Sequence, residues 1–187
     1  MSYLHILKNI QSDERYQNNL DWGQPRDGHP EGTLRAHIEE LEANFERLSP
    51  QLQSEERDKL RILIHVHDSF KPDSQPGVSI MHPNSHASLA KSFLSEFCDD
   101  HELLTMVQFH DEPYALWRQK YFRGHMNEER LTSLMEAIND WDLFNAFLII
   151  DGCTIGKSRT PLEWWFQQSA NLTHSRITTA SILPSIE

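Results

Sequence analysis

Five stretches of this chain each place a histidine or an aspartate on or beside an apolar helical stripe. His37 lies three residues after Leu34 and four before Leu41. His67 follows Leu60 and Ile64 by seven and three, and Asp68 stands beside it, about 100° further round a helix. His86 precedes Leu89, Ala90, Phe93 and Phe97 on one face. His110 follows Leu103, Met106 and Val107 at seven, four and three, and Asp151 follows Phe144, Phe147 and Leu148 at the same intervals. A single histidine on such a stripe is ordinary core packing. A buried carboxylate without a partner costs on the order of several kcal/mol or is driven neutral. Five converging sets need a shared partner, and a divalent cation supplies one. Carboxylates balance its charge, and neutral imidazoles give it lone pairs.

The elements that must position these groups are helical. "HPEGTLRAHIEELEANFERLSP" has Pro30 near a helix start, Pro50 beyond its end, and Leu34, Ile38, Leu41, Phe45 and Leu48 stepping by four and three. "ERDKLRILIHVHDSF" reads as a second helix running to Phe70 and closed by Pro72. "PDSQPGVSIMHPN" is a loop by composition. "SHASLAKSFLSEF", "HELLTMVQFH", "PYALWRQKYF", "NEERLTSLMEAI", "WDLFNAFLII" and "PLEWWFQQS" read as further helices. The tail "RITTASILPSIE" favours β structure but has no partner, so it reads as irregular. No internal repeat or hairpin signal interrupts this pattern, and 1–187 reads as one all-α domain.

The order His37, then His67-Asp68, then Asp151 resembles the H…HD…D signature of the HD-domain superfamily of metal-dependent phosphohydrolases. "HDSFK" is similar to the family's HDxxK, with Lys71 at the lysine position, and "HPEG" resembles the run that precedes the family's first ligand. His86 and His110 fall where many members carry two further histidines. The resemblance spans roughly residues 28–157. It implies an HD-domain-like helical bundle, with five or more core helices around a metal site. It also implies hydrolysis of a nucleotide or other small phosphate ester by a metal-activated water. The metal set is then His37, His67, Asp68 and Asp151. His86 and His110 would bind a second metal or donate hydrogen bonds to phosphate and leaving group.

Imidazole and carboxylate donors suit a divalent Mn, Fe, Co, Ni or Zn ion, and Mg is a further candidate. Asp68, Lys71, His86 and His110 become the catalytic candidates. Lys71 is either a phosphate cation or a solvated lysine before Pro72. A non-catalytic HD-like protein, holding a metal or ligand for regulation, is the alternative from another class.

"HDEPYALWRQKYFRG" puts Tyr114, Trp117 and Tyr121 on one helix face, with Arg118 beside it and Arg123 after it. Tyr114, Trp117 and Arg118 are substrate-binding candidates, since aromatics and arginine can stack a base and hold a phosphate. An aromatic stripe packed in the core is the simpler expectation. His82 competes with His86 for the third histidine position but precedes Pro83 and the helix start. His65 points away from His67 and reads as packing or support. His5, His29, His101, His125 and His174 are expected on the surface.

Other chemistries fit less well. "FLIIDGCTIGKSRTP" imitates a strand entering a phosphate loop, but the first glycine should stand at 151, where the residue is aspartate. Cys153 has no acyl-transfer partners. Two cysteines make no disulfide framework, so a reducing cytoplasm is expected, and neither a secretory signal nor a membrane span is expected. The net charge of −11 opposes binding to duplex nucleic acid. The expected partner is a small phosphorylated substrate.

Overall fold

A computed structural model describes residues 2–184. The described chain is all-helical. α1 (Tyr3–Ser12) and α2 (Glu14–Asn19) precede a loop over 20–33. α3 (Leu34–Leu48) and α4 (Ser54–Val66) follow, then a long loop to α5 (His86–Leu94) and α6 (His101–Phe109). α7 (Glu112–Arg123), α8 (Glu128–Ala137), α9 (Trp141–Gly152) and α10 (Thr160–Ser169) complete the bundle. Among the described residues there is no named strand, only isolated bridges at Gly23–Thr33 and Arg26–His29. No helix is long and apolar enough to cross a membrane among these residues.

Local chemistry accounts for the starts. The Thr33 hydroxyl accepts the Ala36 N–H at 3.2 Å and opens α3. Glu56 accepts the Gln53 N–H at 2.7 Å at the head of α4. Ser85, Asp100 and Asp140 cap α5, α6 and α9 in the same way. Such caps satisfy N–H groups that the helix itself cannot, each worth about 1 kcal/mol. α7 stops at Gly124, whose φ of 75° is the left-handed conformation that glycine adopts without steric cost.

α9 is the centre of the bundle. Leu143, Phe144, Ala146, Phe147, Ile149 and Ile150 cover all its sides and are almost entirely inaccessible, as expected of a helix apolar all round. It packs on α3, α4 and α10, while α4 also contacts α1, α3, α5 and α6. The Asn44 amide donates to the Ile150 carbonyl at 3.0 Å and ties α3 to α9.

Two expectations need correction. The sequence pattern assigns no helix before the HPEG stretch, where α1 and α2 form. The second expected helix ends at Val66, and 67–70 form turns. The physical reason lies in the side chains. The Ser69 hydroxyl donates to the Val66 carbonyl at 2.8 Å, and His67 Nδ1 lies 3.1 Å from the carbonyl oxygens of Leu63 and Ile64. These bonds take up carbonyls that a continuing helix would need. In the tail, a short 3-10 turn at Thr179–Ser181 replaces any strand, and the last three residues of that stretch lie outside the described residues.

Candidate metal centre

The site is assembled from helix ends. α3 delivers His37 from its first turns, the turn after α4 delivers His67 and Asp68, and α5 begins at His86. His110 closes α6, and Asp151 sits in the last turn of α9. His37 Nε2 lies 3.1 Å from Asp151 Oδ1, and His67 Nε2 lies 4.0 Å from the same oxygen. His67 Nε2 is 3.4 Å from Asp68 Oδ2. The other Asp68 oxygen, Oδ1, is 3.5 Å from His110 Nε2 and 3.7 Å from His86 Nε2. Donors bonded to one cation at about 2.0–2.2 Å stand roughly 3–4 Å apart. Asp68 therefore belongs to two groups with metal-ligand spacing, His37–His67–Asp68 and Asp68–His86–His110.

The imidazoles are oriented from behind. His67 Nδ1 faces the backbone carbonyls already named. His110 Nδ1 lies 2.8 Å from the Val107 carbonyl, and His37 Nδ1 lies 3.0 Å from Glu31 Oε1. Each Nδ1 is thus assigned the proton, and each Nε2 lone pair turns inward. His37 Nε2, His67 Nε2 and Asp68 Oδ1 are buried and make no hydrogen bond. Buried polar atoms are nearly always paired, so the two Nε2 orphans fit a cation that would pair them together, while the Asp68 Oδ1 orphan faces His86 and His110 in the second group.

The electrostatics agree. Burial opposes ionisation of Asp68 and Asp151, yet Lys71 and His67 hold Asp68 well below the carboxylate range, and Lys157 and His37 do the same for Asp151. Burial would lower His37, but Asp151 and Glu31 raise it to about 9. A cation at this point therefore competes with a proton. His67 is pushed down, chiefly by burial. Lys71 pairs with Asp68, and Lys157 Nζ reaches Asp151 Oδ1 at 2.7 Å.

Four participants had not been read as site residues. Glu31 accepts from both His29 Nδ1, at 2.9 Å, and His37 Nδ1. Burial pushes its carboxyl up, but the two histidines bring it down to about 2. His29 is therefore no free surface residue. Asp111 places Oδ2 3.2 Å from His86 Nε2. Lys157 belongs to the very stretch rejected as a phosphate loop. The only sequence signal for Glu31 was its place in "HPEG", and Asp111 was adjacent to His110.

Three other expectations resolve clearly. His82 accepts the Asn84 N–H within its loop at 3.1 Å, outside both ligand groups, so His86 is the histidine at the site. His65 packs away from it. The aromatic stripe of α7 is not core: Tyr114 is 49% exposed and Tyr121 67%. Pro113 and Leu116 take the buried face of α7, which packs on α10, so Tyr114 and Tyr121 are left on the outside. Arg123 also lies on the surface.

A cavity of about 670 Å³ opens over the cluster. His67, Asp68, Asp111 and Asp151 lie on its walls, with Lys71, Lys157 and Arg26 as cations and Tyr114, Trp117 and Arg118 along one side. Comparison of the chain with protein-family models, curated proteins and solved structures gives no match.

Proposed function

We propose that this chain is a metal-dependent phosphohydrolase of HD type, acting on a nucleotide or other small phosphate ester. The observation that carries the reading is the set of three buried, unpaired donors, His37 Nε2, His67 Nε2 and Asp68 Oδ1, beneath a cavity with Lys71 and Lys157 on its wall. His37, His67, Asp68 and Asp151 would hold a divalent cation, which would supply charge neutralisation for a phosphoryl group and a water acidic enough to attack near neutral pH. Lys71 and Lys157 lie where they can hold phosphate oxygens. His86 and His110, with Nε2 atoms 3.2 Å apart, stand on the far side of Asp68. From there either, when it carries a proton on Nε2, can hydrogen-bond phosphate or pass that proton to the departing alkoxide as water adds to phosphorus and the ester P–O bond breaks, the proton lost by the water replacing it. The ordered H…HD…D set and the all-helical fold support the same assignment.

The test is a metal screen followed by a substrate panel. Protein loaded separately with Mn, Fe, Co, Ni, Zn or Mg is offered phosphomonoesters, cyclic phosphodiesters and nucleoside triphosphates, with phosphate or nucleoside release as readout. At least one pair should turn over, and Asp68→Ala should lose both metal and turnover. Metal binding without turnover in any pair would replace this reading with a regulatory metal-binding protein. Unchanged metal content in Asp68→Ala would remove the metal assignment itself.

A further inference from the structure

We infer that the phosphate ester is a mononucleotide and that Tyr114, backed by Trp117 on α7, forms the surface on which its base stacks, with Arg118 at the edge. The inference rests on the phosphohydrolase reading of the same cavity and adds what the rest of the substrate must be. Trp117 and Tyr121 follow Tyr114 by three and seven residues, on one side of the helix. The rings form a run: Tyr114 to Trp117 at 5.6 Å and Trp117 to Tyr121 at 5.2 Å between centroids, each pair inclined by 24°. The Arg118 guanidinium lies 5.9 Å from the Tyr114 centroid. Trp117 is half-buried and stacks on both neighbours, while Tyr114 and Tyr121 are exposed, so the run presents Tyr114 as its open ring towards the cavity.

The position of the run selects the occupant. α7 begins beside Asp111, which contacts His86, and rises about 1.5 Å per residue. Tyr114 is thus one turn from the cluster and Trp117 two, and both line the cavity that holds Asp68 and Lys71. A group joined to the reacting phosphate through a sugar would reach them. Flat faces with an arginine beside them favour a planar, polarisable heterocycle over an acyl chain, which would gain nothing from the cation. Basic and acidic side chains are equally numerous on the cavity wall, while the whole chain carries −11. A cation in the cluster makes room for one small anion, but a polyanion extending over the surface meets net repulsion. A single nucleotide satisfies both conditions, and a strand of several does not.

The test is equilibrium binding to the full-length, Mn-loaded protein. The probes are the non-hydrolysable 5′-methylene phosphonates of adenosine and of ribose, which differ only in the base, and a five-residue oligoadenylate. The adenosine probe should bind about 5- to 150-fold more tightly than the ribose probe, the range that stacking of one base is worth. Tyr114→Ala with Trp117→Ala should reduce that ratio to near unity and leave ribose-probe affinity unchanged. Trp117→Phe, which keeps a ring behind Tyr114, should retain most of the ratio and serves if the double variant does not fold. Equal affinity for the two probes in wild type overturns the base-stacking assignment, while hydrolysis in the substrate panel would still stand. Base discrimination without hydrolysis would do the reverse. Tighter binding of the oligoadenylate overturns the mononucleotide assignment. So does a dimer in sedimentation that Tyr121→Ala dissolves, since the run would then be a contact between copies.

Discussion

His65 and His67 stand two residues apart at the end of α4, both buried, and the fold treats them in opposite ways. Every nitrogen of His65 has a protein partner. Nδ1 is 2.5 Å from the Tyr16 hydroxyl, and Nε2 is 3.2 Å from the Gln11 amide and 3.1 Å from Glu42 Oε1. Arg61 grips the same Glu42 through both oxygens at 3.1 Å. This network joins α1 and α2 to α3 and α4 and closes on itself. His67 pairs only its Nδ1 and leaves Nε2 facing Asp68 and Asp151. The difference teaches that burial of a histidine says little by itself. What separates a structural imidazole from a candidate ligand is whether the second nitrogen is left open.

The sharpest break of that comparison is a crossed pair of variants. His67→Ala should abolish metal binding, seen by elemental analysis after dialysis, and should lower the stability of the metal-free protein only through lost packing on Phe147 and the lost Nδ1 contacts. His65→Ala should lower the urea-derived stability by about 1–3 kcal/mol, because Tyr16 and Glu42 lose a buried partner, and should leave metal content intact. If both variants lost metal equally, the two histidines would share one role.

A smaller effect is expected one layer behind the candidate ligands. Glu31→Gln removes the negative charge that orients His37, and apparent metal affinity should fall about 10- to 100-fold in competition with a fluorescent chelator. Unaltered affinity would make Glu31 a loop anchor only.

The smallest effect concerns the closed network under acid. Burial pushes Glu42 up, but His65 and Arg61 hold it below its ordinary 4.5. A carboxyl lowered in the folded state adds stability that is full above the unfolded value and is lost as pH falls through the folded one. The urea midpoint should therefore drop on going below about pH 4.5, and Glu42→Gln should flatten that limb without changing the neutral-pH metal content. An identical acid limb in Glu42→Gln would show that other carboxylates govern it.

Much of this arrangement could be read from the sequence because helical periodicity reports which face a residue occupies. The phases of His37, His110 and Asp151 against Leu34, Val107 and Phe147 follow from helical spacing alone. Periodicity does not report where a helix stops. The end of α4 at Val66 is set by Ser69 and His67 capturing carbonyls, a side-chain competition that a stripe of leucines and isoleucines does not reveal. Nor does it report approaches across the chain. Lys157 meets Asp151 only because Arg159 folds the intervening loop back, donating to the carbonyls of Gly152 at 2.6 Å and Cys153 at 2.9 Å. Glu31 reaches His37 because the 20–33 loop doubles over itself, with Gly32 at a φ of 81° against Pro25, where any Cβ would lie 2.8 Å from the proline ring. The exposed rings of α7 were misjudged for a simpler reason. Aromatic spacing looks the same whether a face meets protein or a cavity, and only the placement of Pro113 and Leu116 on the inner side decides between them.

That the cluster is made of helix ends has a further consequence. α4, α6 and α9 all terminate at it, whereas α3, α5 and α7 all begin at it. Each terminating helix contributes about half a negative charge through its unpaired carbonyl groups, and each starting helix about half a positive one through its free N–H groups. Asp68 and Asp151 lie at the carbonyl ends, where a carboxylate is least welcome and a cation most so. His86 and Asp111 lie at the N–H ends, where an anion is favoured. The ends of α6 and α7 meet at His110 and Asp111 and largely cancel, so the field that remains beside Asp68 and Asp151 comes from α4 and α9 and favours positive charge there before any side chain ionises.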